Sequence, residues 1–159
     1  MKKIIVSSLI SIMAVATVHA ADCIMAKELD VHFKNDSTIY SDASEMQEIK
    51  IYADFLIETD LYAVVEGHTN SLAEARYNYD LSSRRAIKVR DELIKLGVDK
   101  DKVSAMGFGE TTPLYDNNTT LGQAQNRRVV GEVFNDEIEV LNYLNNAKSR
   151  IADIKYKER

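Results

Sequence analysis

Between Leu61 and Gly109 the chain runs from an apolar stretch through a helical stretch to a second apolar stretch, and this order limits its fold more than any other feature. "LYAVVEG" (Leu61–Gly67) is short, rich in β-branched and aromatic residues, and closes on Gly, the pattern of a buried strand. A helix is predicted from there to about Leu96, followed by Gly97, a residue that tolerates the positive φ of a helix end. "KVSAMGFG" (Lys102–Gly109) is the next strand. Two strands joined by such a helix lie parallel, with a right-handed crossover.

The flanking segments extend this unit. A strand is predicted over 29–33, then a polar turn at Lys34–Ser37 and a helix over 41–59, where Met46, Ile49, Tyr52 or Ala53, and Leu56 recur at helical spacing. "ETTPLYDNNTTLGQAQN" (Glu110–Asn126) reads as a long polar loop, its Asn-X-Thr sequons included. "RRVVGEVFN" (Arg127–Asn135) reads as a strand with Val129 and Val133 on one face, and Arg128, Val130, Glu132 and Phe134 on the other. The remainder is a helix whose apolar positions are Ile138, Leu141, Leu144 or Asn145, Ile151 and Ile154, with acids leading and bases trailing.

This order predicts an α/β fold of the α+β sandwich type. Its core is a β-α-β-α-β-β mixed sheet with helices on one face, plus a C-terminal helix. Strands 29–33, 61–66 and 102–108 are expected to be near neighbours. The chain divides into a leader at 21–28, one domain at 29–135 and a helical extension at 136–159.

Residues 1–20 stand apart. Lys2 and Lys3 precede an apolar run from Ile4 to Thr17, too short to cross a bilayer comfortably, and Val18-His19-Ala20 places small residues at −3 and −1 of a cleavage site. That is the pattern of a secretory signal peptide. Its removal takes two lysines from a chain whose formal charge is already −5, which excludes a nucleic-acid partner and a polybasic lipid contact. Cys23 follows Asp22 rather than the small residue of a lipid-modification site, and reads as a tail thiol without a partner.

The helix after Gly67 carries Asn78, Leu81, Ser82, Arg85, Val89 and Leu93 on one side. Val89 and Leu93 belong to a core, but the stripe turns polar toward the carboxyl end of strand 61–66. There His68-Thr69-Asn70 leave the strand into the crevice where α/β sheets bind ligands. An amide, backbone N–H groups and a guanidinium at one spot suit a small zwitterion, whose carboxylate Arg85 can grip with two parallel hydrogen bonds. Arg84 reads as a solvated neighbour, and His68 as a hydrogen-bonded structural residue. Of Arg127 and Arg128, one is expected in the pocket and the other in a structural ion pair.

These residues resemble a known pattern. "NYDLSSRRAIKVRDEL", "VEGHT", "GFGETTP" and "NRRV" are similar, in order and from about Phe33 to Val133, to the C-terminal domain of outer membrane protein A and of peptidoglycan-associated lipoprotein. The resemblance implies a non-catalytic domain that holds peptidoglycan through the diaminopimelate side chain of its stem peptide. It implies that Arg85 takes a carboxylate, with Asp36, Thr69, Asn78, Leu81 and Arg127 as lesser contacts. It also places Asn70 where the family's aspartate receives the ammonium. A neutral amide there is expected to weaken binding by about 1–2 kcal/mol, or about five- to thirtyfold, unless Glu74 or Asp36 supplies the missing carboxylate. Two smaller departures are Ala73 in place of a loop Gly, which predicts a more helical loop, and Lys34 in place of an acid.

Other chemistries find no support in the chain. It has no G-x-S-x-G elbow, H-E-x-x-H pair or phosphate-binding loop, Cys23 has no activating His, and His32 and His68 lack a third ligand at zinc spacing. No cofactor is expected. Two functions remain. One is a periplasmic peptidoglycan-binding module. The other is an adaptor subunit of an envelope, motor or secretion complex, with wall binding lost and the 136–157 helix docking the partner. Outer-membrane association then needs a partner or a lipid on Cys23. On the adaptor reading, deletion of 136–159 removes the partner and leaves the domain folded.

Overall fold

The computed structural model describes residues 28–154. The expected signal peptide, most of the leader, Cys23 and residues 155–159 lie outside the described residues.

Eight elements follow in order: β1 (Asp30–His32), α1 (Ser44–Thr59), β2 (Tyr62–His68), α2 (Ala75–Lys95), β3 (Val103–Gly109), α3 (Thr120–Asn126), β4 (Arg128–Phe134) and α4 (Glu137–Ile154). The sheet order is β1-β4-β2-β3, with β2 parallel to β3 and β4 antiparallel to both β1 and β2. The parallel β2-α2-β3 unit is therefore as expected. The expected closeness of β1 to β2 is not met, because β4 enters between them. β4 carries apolar side chains on both faces and so suits an interior place, whereas three-residue β1 suits an edge.

One face of the sheet packs on α1 and α2. Val31, Ala63, Val65 and Val129 meet Ile49, Tyr52, Leu56, Val89 and Leu93 in a single buried cluster. The other face packs on α4, where Val64, Met106 and Phe108 meet Val140, Ala147 and Ile151. The terminal helix thus covers its own sheet. Its buried stripe keeps Leu144 and Ile151 of the expected one but differs at its start: Ile138 and Leu141 are 69% and 51% exposed, while Val140 and Ala147 are buried and Tyr143 partly so. Both stripes have helical spacing, and the apolar sheet face selects the one whose centre is small Ala147. The side chain of Ile154 lies outside the described residues.

The segment 110–126 also departs from expectation, since its end folds as α3. Thr119 caps this helix by accepting a hydrogen bond from Gly122 N at 3.0 Å. The buried Asn126 side chain accepts from the N–H groups of Leu114 and Tyr115 and donates to Tyr115 O and Asn117 Oδ1, which ties down the preceding turn.

α2 lies unusually close to the sheet. A Cβ built on Gly67 would stand 2.0 Å from Ser82 O, and one on Gly107 would stand 2.2 Å from Ser83 Oγ. Glycines below and serines above let helix and strands touch backbone to backbone. That contact sets the distance between the polar end of α2 and the carboxyl end of β2.

Candidate functional site

At that end lies a cavity of about 510 Å³. Its wall brings together all seven residues expected in the site: Asp36 from the loop after β1, Thr69 and Asn70 after β2, Asn78, Leu81 and Arg85 from α2, and Arg127 before β4. The helical period explains the α2 set, and the strand ends explain the others.

Arg85 is 0% exposed as a residue, yet it lines the cavity. Among the described residues it makes no ion pair. Its Nε donates to Ser37 O (2.9 Å) and its Nη2 to Lys34 O (3.1 Å), with a longer contact from Nη1 to His68 O (3.5 Å). The group also lies over the Phe33 ring, 5.1 Å from its centroid. Burial, and then the neighbouring Arg127 charge, push its pKa down to about 10, with Asp36 acting in the opposite direction. It stays charged at neutral pH. Backbone carbonyls hold the group in place.

Several lesser contacts have tasks inside the protein. Asn78 Nδ2 donates to Ala73 O (3.0 Å) and to Glu110 Oε2 (2.6 Å), which orients the loop between β2 and α2. That loop is not more helical than expected for the fold: Ala73 lies in a bend, and α2 begins only at Ala75. Asp36 has a positive φ of 47° and accepts a hydrogen bond from Tyr77 Oη. Arg127 Nε donates to Phe33 O (3.2 Å), and burial lowers its pKa. Asn70 Oδ1 receives Leu72 N at 3.4 Å, while Asn70 Nδ2 and Thr69 Oγ1 are buried without partners among the described residues. Glu74, exposed, lines the same cavity.

Tyr77 and Glu110 were missed by sequence reasoning. Tyr77 stands four and eight residues before Leu81 and Arg85, on the same helical face, so its spacing was a usable signal. Glu110 had none, because only the fold brings the end of β3 beside Asn78.

His68 turns to the opposite face of the sheet. Its Nδ1 meets Thr112 Oγ1 (2.9 Å), its ring stacks on Phe108, and burial lowers its pKa so that it is neutral. The structural reading of this residue holds. Arg128 also faces that side. Its Nη2 donates to Thr112 O (3.3 Å), and among the described residues it has no ion pair, contrary to expectation. Arg84 is exposed. Among the described residues no cluster of His, Cys, Asp and Glu is arranged to hold a metal ion.

The family model described as "OmpA family" matches residues 32–127, a span that runs from β1 through α3. The chain belongs to the OmpA family. Outer membrane porin F of Pseudomonas aeruginosa is 41% identical to it over 124 residues, which cover 74% of this chain and 35% of the porin. This OmpA-family chain therefore spans about a third of the length of that relative. Among solved structures, the peptidoglycan-associated lipoprotein of Burkholderia pseudomallei superposes with a TM-score of 0.63 at 26% identity, over 73% of this chain and 98% of that one. The cell wall anchor of the T6SS from Pseudomonas aeruginosa gives a TM-score of 0.58 at 28% identity, over 69% and 81%.

Proposed function

We propose that residues 29–135 form a non-catalytic domain that binds peptidoglycan in the periplasm, taking the diaminopimelate of the stem peptide into the Arg85 cavity. One observation carries this reading: a buried, charged Arg85 at the cavity wall that makes no ion pair among the described residues. A ligand carboxylate is the natural counter-ion for such a group. Two structures with this fold, at 26% and 28% identity, are a peptidoglycan-associated lipoprotein and a cell wall anchor. Asp36, Thr69, Asn70, Leu81 and Arg127 complete the contact surface, with Asn78 shaping it from behind. The predicted signal peptide and the relatives named as outer membrane proteins support the location. No helix among the described residues is long and apolar enough to cross a membrane.

The test is sedimentation with purified sacculi. Wild type is expected in the pellet, and Arg85→Ala in the supernatant, with a loss of about tenfold or more in affinity. Because Arg85 also anchors the loop at Ser37 and Lys34, circular dichroism must show the variant folded, and Arg127→Ala provides a milder second variant. A folded Arg85→Ala protein that sediments like wild type refutes the assignment.

A second reading is an adaptor that docks an envelope protein through the outer face of α4. It is favoured by the exposed Ile138 and Leu141 on that face. Replacement of both by Ser is then expected to abolish co-purification of the partner and to leave sacculus binding intact.

A further inference from the structure

The loop between Phe33 and Tyr40 forms one wall of the cavity. Its Asn35 and Asp36 line the space, and its Lys34 O and Ser37 O accept from Arg85. The base of the loop is closed: Phe33 and Tyr40 form a β-bridge, and their ring centroids lie 5.1 Å apart. Above that base, Lys34 N donates to Ile39 O (2.9 Å).

α2 holds this loop from one helical face. Tyr77 Oη donates to Asp36, Arg85 donates to Ser37 O and Lys34 O, and Lys88 Nζ donates to Thr38 O (2.8 Å). Tyr77 and Arg85 line the cavity, whereas half-buried Lys88 stands outside it. Lys88 nevertheless repeats the arrangement of Arg85 one turn on. Arg85 takes the Ser37 carbonyl and lies over the Phe33 ring; Lys88 takes the next carbonyl, that of Thr38, and lies 4.0 Å from the centroid of the Tyr40 ring. Two cations on one helix thus cap a pair of touching rings, and each grips the loop above its ring. Among the described residues Lys88 makes no ion pair, so these two contacts are what its charge serves.

The neighbours of Thr38 explain why this matters at the site. Ser37, one residue back, carries the carbonyl that orients Arg85, and Asp36, two back, lines the cavity. A loop released at Thr38 is free to carry both away from α2. Resting on the peptidoglycan reading above, we propose that Lys88 is a positioning residue for the ligand site: it touches no ligand, and it fixes the 34–39 loop so that Asp36 and Arg85 keep the geometry that binds.

The experiment is sedimentation of the protein across a range of sacculus concentrations, which gives an apparent affinity. Lys88→Met keeps an unbranched apolar stem and removes the ammonium. It is expected to stay folded by circular dichroism and to bind about fivefold more weakly than wild type, the effect of about one hydrogen bond. Lys88→Arg, which can donate to Thr38 O and lie over Tyr40, is expected to restore the affinity. Arg84→Met removes the same charge from an exposed neighbour and is expected to change the affinity by about twofold or less, which separates positioning from a general loss of positive charge. The Lys34 amide, bonded across the loop, is expected to exchange its hydrogen faster in Lys88→Met and not in Arg84→Met. Wild-type affinity in folded Lys88→Met, equal losses in Lys88→Met and Arg84→Met, or no recovery with Lys88→Arg overturns the inference while the wall reading stands. If sacculi do not retain wild type, the wall reading fails and the inference with it.

Discussion

Arg85 shows how one side chain can join two segments of the fold and still make no ion pair among the described residues. Its charge is buried against Phe33 and held by backbone carbonyls of the loop after β1, so the loop and α2 are joined through it. Carbonyl dipoles offset part of the cost of burying a cation but do not neutralise it, and a bound carboxylate would. Gly67 matters equally at this scale. An added methyl would collide with Ser82 O and force α2 away from β2. Gly67→Ala is expected to cost about 3 kcal/mol by urea unfolding, since the clash is with backbone that cannot rotate away. It should also weaken ligand binding, because Thr69 and Asn70 follow β2 while Arg85 rides on α2. A change below about 0.5 kcal/mol would show that the close approach is not required.

At the level of elements, α4 has a task within the domain. Val64, Met106 and Phe108 on the sheet are covered by Val140, Ala147 and Ile151. Removal of residues 136–159 would return this apolar surface to water. The deletion is therefore expected to destabilise the domain by about 5–9 kcal/mol, on about 1.5–3 kcal/mol for each of the three side chains re-exposed. This revises the expectation that the extension can be lost without unfolding the domain. Thermal melting of the shortened chain checks it, and an unchanged Tm would mean that α4 contributes little to the fold. Point changes at Ile138 and Leu141 are the cleaner probe of any partner surface, because these side chains face outward.

For the molecule as a whole, acid sensitivity should arise on the sheet face away from the cavity. His68 is buried with its Nε2 standing 3.6 Å from Glu66 Oε2, and burial lowers its pKa below 6.5, with Arg128 lowering it further and Glu66 opposing. In the unfolded chain the ring takes up a proton first as pH falls. Stability is thus fully present above pH 6.5 and declines below it, down to the folded-state pKa. Glu45 and Glu132 act in the opposite sense at lower pH, since burial raises their pKa values. The contribution of His68 is isolated by comparison with His68→Gln: wild type should lose Tm between pH 7 and pH 5.5, about neutral to one unit below the usual His pKa, and the variant should lose less. Equal losses would place the acid-sensitive group elsewhere.

The local order of elements and much of the cavity lining were legible in the sequence because both follow from short-range periodicity. Asn78, Leu81 and Arg85 share a helix face by the 3.6-residue turn, and Thr69 and Asn70 follow a strand that ends at His68. Three things were decided only by the tertiary structure. β4 separates β1 from β2 because strand order depends on which edges are left to pair, and no local pattern encodes that. α4 turns Val140 and Ala147 inward in place of Ile138 and Leu141 because the apolar sheet face chose between two stripes of helical spacing. Arg85 is held by Ser37 O and Lys34 O because the fold lays the loop after β1 against α2, a contact between segments far apart in the chain that composition and spacing leave open.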